Sequence, residues 1–370
     1  MQVRNLVFKS AVGFAACLAM LAGLSIPLSV HAQGCILTRT TAPVLGAQSS
    51  PFLEEGQFQL TANYRQFTAD EHYSNGSGLN LVVMNTNTQV ISEMQAMEIG
   101  GIYALNQQLN LTLSIPYMLE GSSNRALPSG VAGSPRFEHS ANGIGDVSIG
   151  ARYWLMNSQE NSDQNIGLGL SVKIPTGDSE VTDLFPNRTG ADIRSRFVDQ
   201  SIQPGDGGWG FQLSMEAFKT VGDFTLFANG AYTFNPRGQN DTFSPPAFLN
   251  PVGPQAVADN IRFNTVNDSY IARVGAAYPI LAIPGLSVSL AGRVVGVPES
   301  DLIGDTTGFR RPGYFMTLDP GINYTIDRAI FSFTVPVRVH QYVGDSFGAV
   351  RDSTFANYMI EFSVSYRFGG

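Results

Sequence analysis

The chain has 370 residues, of which 43% are hydrophobic and only 14% are charged. This hydrophobic content excludes an intrinsically disordered chain, and the charged fraction is well below the roughly 25% of soluble domains. The net charge of −8 and the pI near 5.0 argue against a basic nucleic-acid-binding face, so no nucleic-acid partner is expected. With 39 glycines and 11% aromatic residues, the composition is typical of many strands and turns.

The first 32 residues have the pattern of a signal peptide. Arg4 and Lys9 precede an apolar stretch over residues 11–24, and Val30 and Ala32 are small residues at the −3 and −1 positions of a cleavage site. The sequence therefore predicts a cleaved signal peptide over residues 1–32 and export from the cytoplasm. An uncleaved N-terminal membrane anchor is the alternative.

Residues 33–55 form a segment with little alternation between apolar and polar residues. It contains Pro43 and Pro51, which favour an irregular backbone, so we expect it to lie in the periplasm or in the lumen of the domain that follows. After cleavage Cys35 is the only cysteine, which excludes an intrachain disulfide. Cys35 is expected to be an unmodified thiol, with lipidation as the alternative.

From residue 56 to 370 the chain alternates between apolar and small or polar residues with a period of two. This pattern predicts strands in which one face is apolar. The predicted strands are near the 9–11 residues that cross a bilayer obliquely. They cover residues 58–65, 97–105, 109–117, 147–155, 166–174, 209–217, 224–234, 270–278, 286–294, 314–324, 331–339 and 358–368.

The connections between these strands alternate in length. Short links lie at 106–107, 221–223, 283–285 and 327–328, with a longer polar one at 157–164. Long segments lie at 68–92, 120–142, 176–206, 236–267, 298–311 and 343–354. We therefore predict an all-β fold: a transmembrane antiparallel β-barrel of about 12 strands with short periplasmic turns and long extracellular loops. A soluble β-sandwich is less compatible, because its connections would not sort by length.

Aromatic residues at the predicted strand ends favour a membrane barrel, because such rings are enriched at membrane interfaces. One expected belt contains Tyr64, Tyr117, Tyr232, Phe234 and Tyr342. The other contains Tyr103, Tyr153, Trp154, Tyr278, Tyr324, Tyr366 and Phe368. The apolar face of the last two strands, expected to contact lipid, consists of Phe331, Phe333, Val335, Val337, Val339, Phe362 and Val364.

Charged residues fall on the opposite face of the strands, which predicts a polar lumen, because charge on the lipid side is costly. The predicted lumen-lining residues are Arg65, Glu98, Arg152, Lys173, Glu216, Arg273, Arg293, Asp319, Arg338, Glu361 and Arg367. Arg273, Arg293, Asp319, Arg338 and Glu361 are expected to set a constriction. The alternative is a ladder of ion pairs that only fills the lumen.

Three segments resemble a known family. Residues 143–146 (Gly-Ile-Gly-Asp) lead into the strand 147–153, residues 167–178 form a second glycine-containing block, and residues 362–368 form the closing strand. Together they resemble the outer-membrane β-barrel transporter family of the meta-pathway phenol-degradation type. The resemblance implies passage of small compounds, aromatic or hydrophobic ones among them. The chain departs from the usual barrel ending, because Gly369 and Gly370 follow Phe368.

Signals for catalysis or cofactor binding are weak. His340 is expected to share a strand face with Ser332 and Thr334, which is the best available hydrolase combination, whereas His72 and His139 fall in predicted loops. Asp178, Glu180 and Asp183 could bind calcium, but the favoured interpretation is a solvated acidic loop. We therefore expect no enzyme activity, no cofactor and no metal.

The sequence thus predicts a channel or transporter for small solutes in the outer membrane of a Gram-negative bacterium. Its expected partners are outer-membrane lipid, small-molecule solutes and the barrel-assembly machinery. A non-conducting barrel with a structural or surface-interaction role is the main alternative, and an outer-membrane hydrolase is the second.

Overall fold

The computed structural model describes residues 30–31, 52–74, 76–158, 160–244, 262–344 and 352–369. Within them twelve long strands form one antiparallel sheet. The barrel strands are β1 (Phe58–Ser74), β2 (Ile91–Ala104), β3 (Leu109–Ala126), β4 (Arg136–Ile144 and Val147–Trp154), β5 (Gln164–Ile174), β6 (Gly210–Val221), β7 (Phe224–Phe234), β8 (Ser269–Pro279), β9 (Leu286–Pro298), β10 (Gly313–Ile326), β11 (Ala329–Thr334 and Val337–Val343) and β12 (Asp352–Phe368).

Each strand pairs with its neighbours in sequence, and the last strand pairs with the first. Phe58 lies opposite Phe368 and Ser74 lies opposite Asp352, so β1 and β12 close the sheet. A closed sheet has no edge strand whose backbone groups lack partners. This confirms the predicted closed antiparallel barrel of about twelve strands. Most of the predicted signal peptide and of segment 33–55, including Cys35, lies outside the described residues.

Short elements accompany the barrel in the loops at one end. They include helix α1 (Leu81–Asn85) and a 3-10 helix (Gln200–Ile202). The short strand Val30–His31 pairs with Pro298 and Val297. The other short strands are Gly78–Leu79, Thr182–Phe185 paired with Arg194–Phe197, and Gln239–Phe243 paired with Phe263–Thr265. Within the described part of the chain, no helix is long and apolar enough to cross a membrane.

Several strands are longer than predicted. Strand β3 and the first part of β4 pair as far as Ala126 and Arg136, although residues 120–142 were predicted to be a loop. Likewise β1 extends to Ser74, so His72 and His139 lie in strands and the prediction that they lie in loops was wrong. The apolar alternation ends where these strands leave the membrane zone, but the backbone hydrogen bonds continue because they do not require apolar side chains.

A β-bulge in β11 changes which residues face outward. The pairing with β10 passes from Thr317–Arg338 to Met316–His340, so Val339 is an extra residue. A bulge of this kind reverses the alternation beyond it. His340 is therefore exposed, whereas Thr334 is buried, and the prediction that they share a face was wrong.

The outer surface of the barrel is apolar in alternate positions. Phe331, Phe333, Val337, Val339 and Phe362 are all exposed, as expected for the predicted lipid-facing set. Val335 and Val364 are partly exposed. The side chains at the alternate positions of these strands, between the exposed ones, point into the barrel.

The aromatic residues predicted at the strand ends are exposed or partly exposed, except Trp154. Tyr103, Tyr153 and Tyr366 are exposed near the end that carries the short turns. Trp154, by contrast, is 1% exposed, because alternation turns it inward when Tyr153 points outward. Its ring packs edge-on against Phe52, with ring centroids 5.3 Å apart.

Two apolar clusters occupy the interior, one near each end. The aromatic cluster, near the short turns, contains Phe52, Trp154, Phe218, Phe227 and Ala291. The outer cluster, towards the long loops, includes Phe67, Met94, Met118, Ile202, Phe315, Phe355 and Met359. The polar part of the interior lies between these two clusters.

Candidate functional site

Most of the predicted lumen-lining residues meet at one level of the barrel. The register places Glu216 opposite Asn229, Asn229 opposite Arg273, and Arg273 opposite Arg293 on consecutive strands. Across the closure, Arg65 lies opposite Glu361. We call this ring the central belt; its charged members are Arg65, Glu98, Arg152, Glu216, Arg273, Arg293, Asp319 and Glu361. Four arginines and four carboxylates give the belt a formal charge of zero.

One continuous ion-pair network contains five of the eight charged residues of the central belt. The Nε of Arg293 donates to Asp319 at 2.7 Å, and its two Nη atoms donate to Glu361 at 2.9 and 2.8 Å. Arg65 donates to the same Glu361 at 3.1 Å, and the Nε of Arg273 lies 3.2 Å from Asp319. Because these side chains are almost completely buried, the network is well shielded from water.

A second ion pair lies across the belt. The Nη1 of Arg152 donates to both carboxylate oxygens of Glu216, at 3.1 and 2.9 Å, and the guanidinium lies 4.9 Å from the ring centroid of Trp154. Glu98 completes the belt, and its carboxylate interacts electrostatically with Arg65. The charges of the belt are therefore balanced within the protein.

Arg338 and Arg367 lie outside the central belt. Arg338 binds Glu71 and donates to the hydroxyl of Tyr73 at 2.9 Å and to Asn357 at 2.5 Å, closer to the long loops. Arg367 donates to Gln59 at 3.2 Å near the short turns. Of the five residues expected to set a constriction, four belong to the central belt and Arg338 belongs to this separate group.

A chamber extends from the central belt to the long loops. It has a volume of about 260 Å³ and is lined by side chains from strands β1 to β9 and from the loops. The predicted residues Glu98, Arg152, Lys173 and Glu216 all line it.

The two glycine-containing blocks brace each other at the outer side of the chamber. Asp146 accepts hydrogen bonds from the amides of Gly177, at 3.1 Å, and Asp206, at 3.2 Å. Gly177 must be a glycine because a Cβ there would lie 2.7 Å from the Cα of Gly205. Lys173 binds Asp206 and lies 3.9 Å from Asp146, so this lysine is held by two acids.

Part of the loop between β5 and β6 folds into the barrel mouth. Gln200, Ser201 and Ile202 of its 3-10 helix are buried, and Gln200 and Gln203 line the chamber. This helix begins after Asp199, whose carboxylate accepts hydrogen bonds from Arg311 at 2.9 and 3.1 Å and also binds Arg125.

The carboxyl of Asp199 has a strongly perturbed pKa. Burial by itself would raise this pKa, but the charges of Arg311 and Arg125 outweigh burial and hold it well below its ordinary value. The amide of Ser201 also donates to this carboxylate, at 3.0 Å. Asp199 is therefore ionised at neutral pH and anchors the inward-folded loop.

The weaker sequence signals do not come together as reactive sites. His340 lies on the outer face, 3.4 Å from the hydroxyl of Tyr314 and on the opposite face from Thr334. Asp178 and Asp183 accept hydrogen bonds from backbone amides. Among the described residues, no group of three or more His, Cys, Asp or Glu side chains is placed to hold a metal ion.

Sequence reasoning missed several polar residues of the interior. Asp206 and Glu71 fall in segments that were predicted to be loops, so their role could not be foreseen. Asn229 and Asn235, by contrast, follow the alternation of β7 and lie on its inward face with Thr233. Asn229 would have been predicted if carboxamide residues as well as charged ones had been assigned to the inward face of the strands.

The closed twelve-stranded antiparallel barrel, apolar outside and polar inside, defines the class of protein as a β-barrel of the outer-membrane type. Its fold is similar to that of an outer membrane channel from Pseudomonas putida F1, with a TM-score of 0.56, 15% sequence identity, and coverage of 89% of this chain and 100% of that one. The toluene transporters TodX of P. putida and TbuX of Ralstonia pickettii give TM-scores of 0.41 and 0.40, identities of 11% and 12%, and coverage of 92% of this chain and 96% and 99% of theirs. No known family and no curated protein matches the sequence.

Proposed function

We propose that this protein is an outer-membrane channel or transporter that passes small solutes through the interior of its barrel. The observation that carries the proposal is the polar chamber of about 260 Å³ inside a barrel whose outer face is apolar. An apolar outer face is favoured in contact with lipid, and the hydrogen-bonding side chains of the chamber are favoured in contact with water or polar solutes. Export by a cleaved signal peptide and insertion by the barrel-assembly machinery belong to the same proposal.

The resemblance to the meta-pathway phenol-degradation family adds a finer hypothesis. Under it, aromatic or hydrophobic compounds would be among the solutes that pass. The fold shared with an outer membrane channel supports a passage in general terms and does not select a substrate.

Reconstitution into a planar bilayer tests the proposal. We expect discrete current steps in KCl from the purified, refolded chain. Ser114 lines the chamber at the middle of β3, so Ser114→Trp should reduce the conductance by filling the chamber. Leu111 is 44% exposed on the outer face of the same strand and is not part of the chamber lining, so Leu111→Trp is the matched control and should leave the conductance unchanged.

A non-conducting barrel is the second candidate, and one observation favours it. The aromatic cluster fills the interior between the chamber and the short turns, and the outer cluster fills part of the interior beside the chamber towards the long loops. If the wild-type protein inserts into the bilayer and gives no current at any voltage, this structural alternative replaces the channel.

A further inference from the structure

Hydrogen-bonding side chains are the most numerous in the lining of the chamber, which also contains apolar ones such as Ile102, Met215, Ile271 and Val295. Among the described residues it includes eight Asn or Gln and nine Ser or Thr residues, whereas Tyr270 is the only aromatic one. Carboxamides and hydroxyls each offer both donors and acceptors of hydrogen bonds. A polar solute can replace the water around these groups with its own hydrogen bonds, which an apolar solute cannot do.

The charged residues of the chamber are already occupied by protein groups. Arg152 is held by Glu216, Lys173 is held by Asp206, and Asp146 accepts two backbone amides. The central belt has a formal charge of zero. The groups that remain to meet a solute are therefore mainly neutral ones.

The inward face of β7 carries hydrogen-bonding groups that lack partners. The Nδ2 of Asn229 has no hydrogen-bond partner although the residue is 6% exposed, and the Oδ1 of Asn235 has none although the residue is 2% exposed. Both residues line the chamber. A buried donor or acceptor without a partner is costly, so each of these atoms is poised to bind a polar group inside the chamber.

Asn229 and Asn235 mark the two ends of a track of polar side chains. Thr233 lies between them on β7 and accepts a hydrogen bond from Gln212 of β6 at 3.1 Å, and Ser214 follows on β6. Six residues of strand separate the two asparagines, which is about 20 Å at roughly 3.3 Å per residue. The track therefore runs along the chamber rather than forming a single pocket.

We propose that the chamber selects neutral, polyhydroxylated solutes of about monosaccharide size, which move along this track by exchanging hydrogen bonds with water for hydrogen bonds with the protein. A hydroxyl group can accept a hydrogen bond from the Nδ2 of Asn229 at one end of the track or donate one to the Oδ1 of Asn235 at the other end, so a polyol can pair with each atom in turn, whereas a hydrocarbon pairs with neither. This inference rests on the proposed channel function and specifies its substrate class.

Swelling of liposomes that contain the full refolded chain tests the inference. Glucose and arabinose are the neutral probes, and gluconate and glucosamine are charged probes of similar size. We expect glucose and arabinose to enter faster than either charged probe. Asn229→Leu and Thr233→Val keep the side-chain size but remove hydrogen bonds, and each should slow glucose entry by about three- to ten-fold, the worth of one hydrogen bond.

The controls separate this inference from the channel itself. Asn323→Leu makes the same change at a buried carboxamide that is not part of the chamber lining, and it should not alter the rate of glucose entry. KCl conductance should change little in either track variant. If KCl current flows while glucose does not enter, or if both variants pass glucose at the wild-type rate, the substrate class is wrong and the channel remains. If the wild type passes neither ions nor sugars, both proposals fail.

Discussion

Arg293 shows how one buried residue can organise the interior of the barrel. Its guanidinium donates to Asp319 and to both oxygens of Glu361, which join β9 to β10 and β12. A buried ion-pair network adds little net stability over apolar packing, but removing one partner leaves charges uncompensated. The arrangement therefore specifies the register of the strands more than it strengthens the fold.

Replacing Arg293 by Met should destabilise the barrel strongly. The change leaves Asp319 and Glu361 to share the remaining arginines, so we expect the free energy of unfolding to fall by about 3–5 kcal/mol. Urea unfolding of the protein in lipid vesicles measures this change. Arg194→Met is the matched control, because Arg194 is 70% exposed and its pair with Asp192 should contribute less than about 1 kcal/mol. Equal effects of the two substitutions would show that the network does not hold the strands.

Asp199 makes the inward-folded loop sensitive to acid. Because its folded-state pKa is lowered, the ionised carboxylate contributes stability that is complete above its unfolded pKa of about 3.9. That contribution is lost as the pH falls through the lower folded-state pKa, when protonation weakens the bonds to Arg311 and Arg125.

We therefore expect hydrogen exchange in residues 176–206 to accelerate at acidic pH beyond the intrinsic pH dependence. Asp199→Asn should show fast exchange already at neutral pH, with little further acceleration in acid. The control is Asp192→Asn, which changes an acid of the same loop that is 44% exposed, and it should behave like the wild type. If exchange in this segment is equally slow in the wild type and in Asp199→Asn at pH 7, the ion pairs do not anchor the loop.

At the scale of the element, β3 separates the two environments within one residue. Leu113 is exposed on the outer face, and Ser114 lines the chamber beside Gly100, where a Cβ would have its nearest neighbour at 3.8 Å. The small side chains around Ser114 leave space for a larger one. A charged side chain should therefore be tolerated at position 114 and should destabilise the barrel at position 113.

Leu113→Arg should cost about 2–4 kcal/mol of unfolding free energy, because it places a cation against the lipid near the middle of the strand. Ser114→Arg should cost much less, since its guanidinium remains in the polar chamber. Refolding yield and urea unfolding in vesicles compare the two. A larger loss for Ser114→Arg than for Leu113→Arg would mean that the faces of β3 are assigned the wrong way round.

At the scale of the whole molecule, the aromatic cluster lies between the chamber and the short turns. Phe52, which precedes β1, lies edge-on to Trp154 and to Phe218, with ring centroids 5.3 and 5.5 Å apart. The end of the N-terminal segment therefore contributes to closing the interior near the short turns. The prediction that segment 33–55 lies in the periplasm or in the lumen remains a proposal.

Phe52→Ala should increase the single-channel conductance, because it removes a ring from the narrow end of the path. Phe52→Leu keeps most of the volume and should conduct like the wild type. Planar-bilayer recordings of both variants test this effect. If all three proteins give identical currents, the aromatic cluster does not limit the conductance, and the limiting point lies at the outer cluster or the central belt.

Period-two alternation was enough to predict the barrel, the number of strands and the inward face of the charged residues, including Arg65, Arg293 and Glu361. The reason is that each strand contacts lipid on one side and the interior on the other, and this requirement acts on neighbouring residues. The same local rule failed beyond the bulge at Val339, because the bulge reverses the alternation. It also failed for the lengths of β1 and β3, because their outer ends no longer have one apolar face.

The tertiary structure alone decided which residues meet. Arg65 and Glu361 are 296 residues apart in sequence and are joined only because β1 closes on β12. The polar chamber likewise depends on the inward fold of residues 200–206 and on the small side chains that face it. By itself the sequence determined which side chains point inward, because that choice is local; the pairing of charges and the shape of the passage depend on the register between distant strands, which no local pattern encodes.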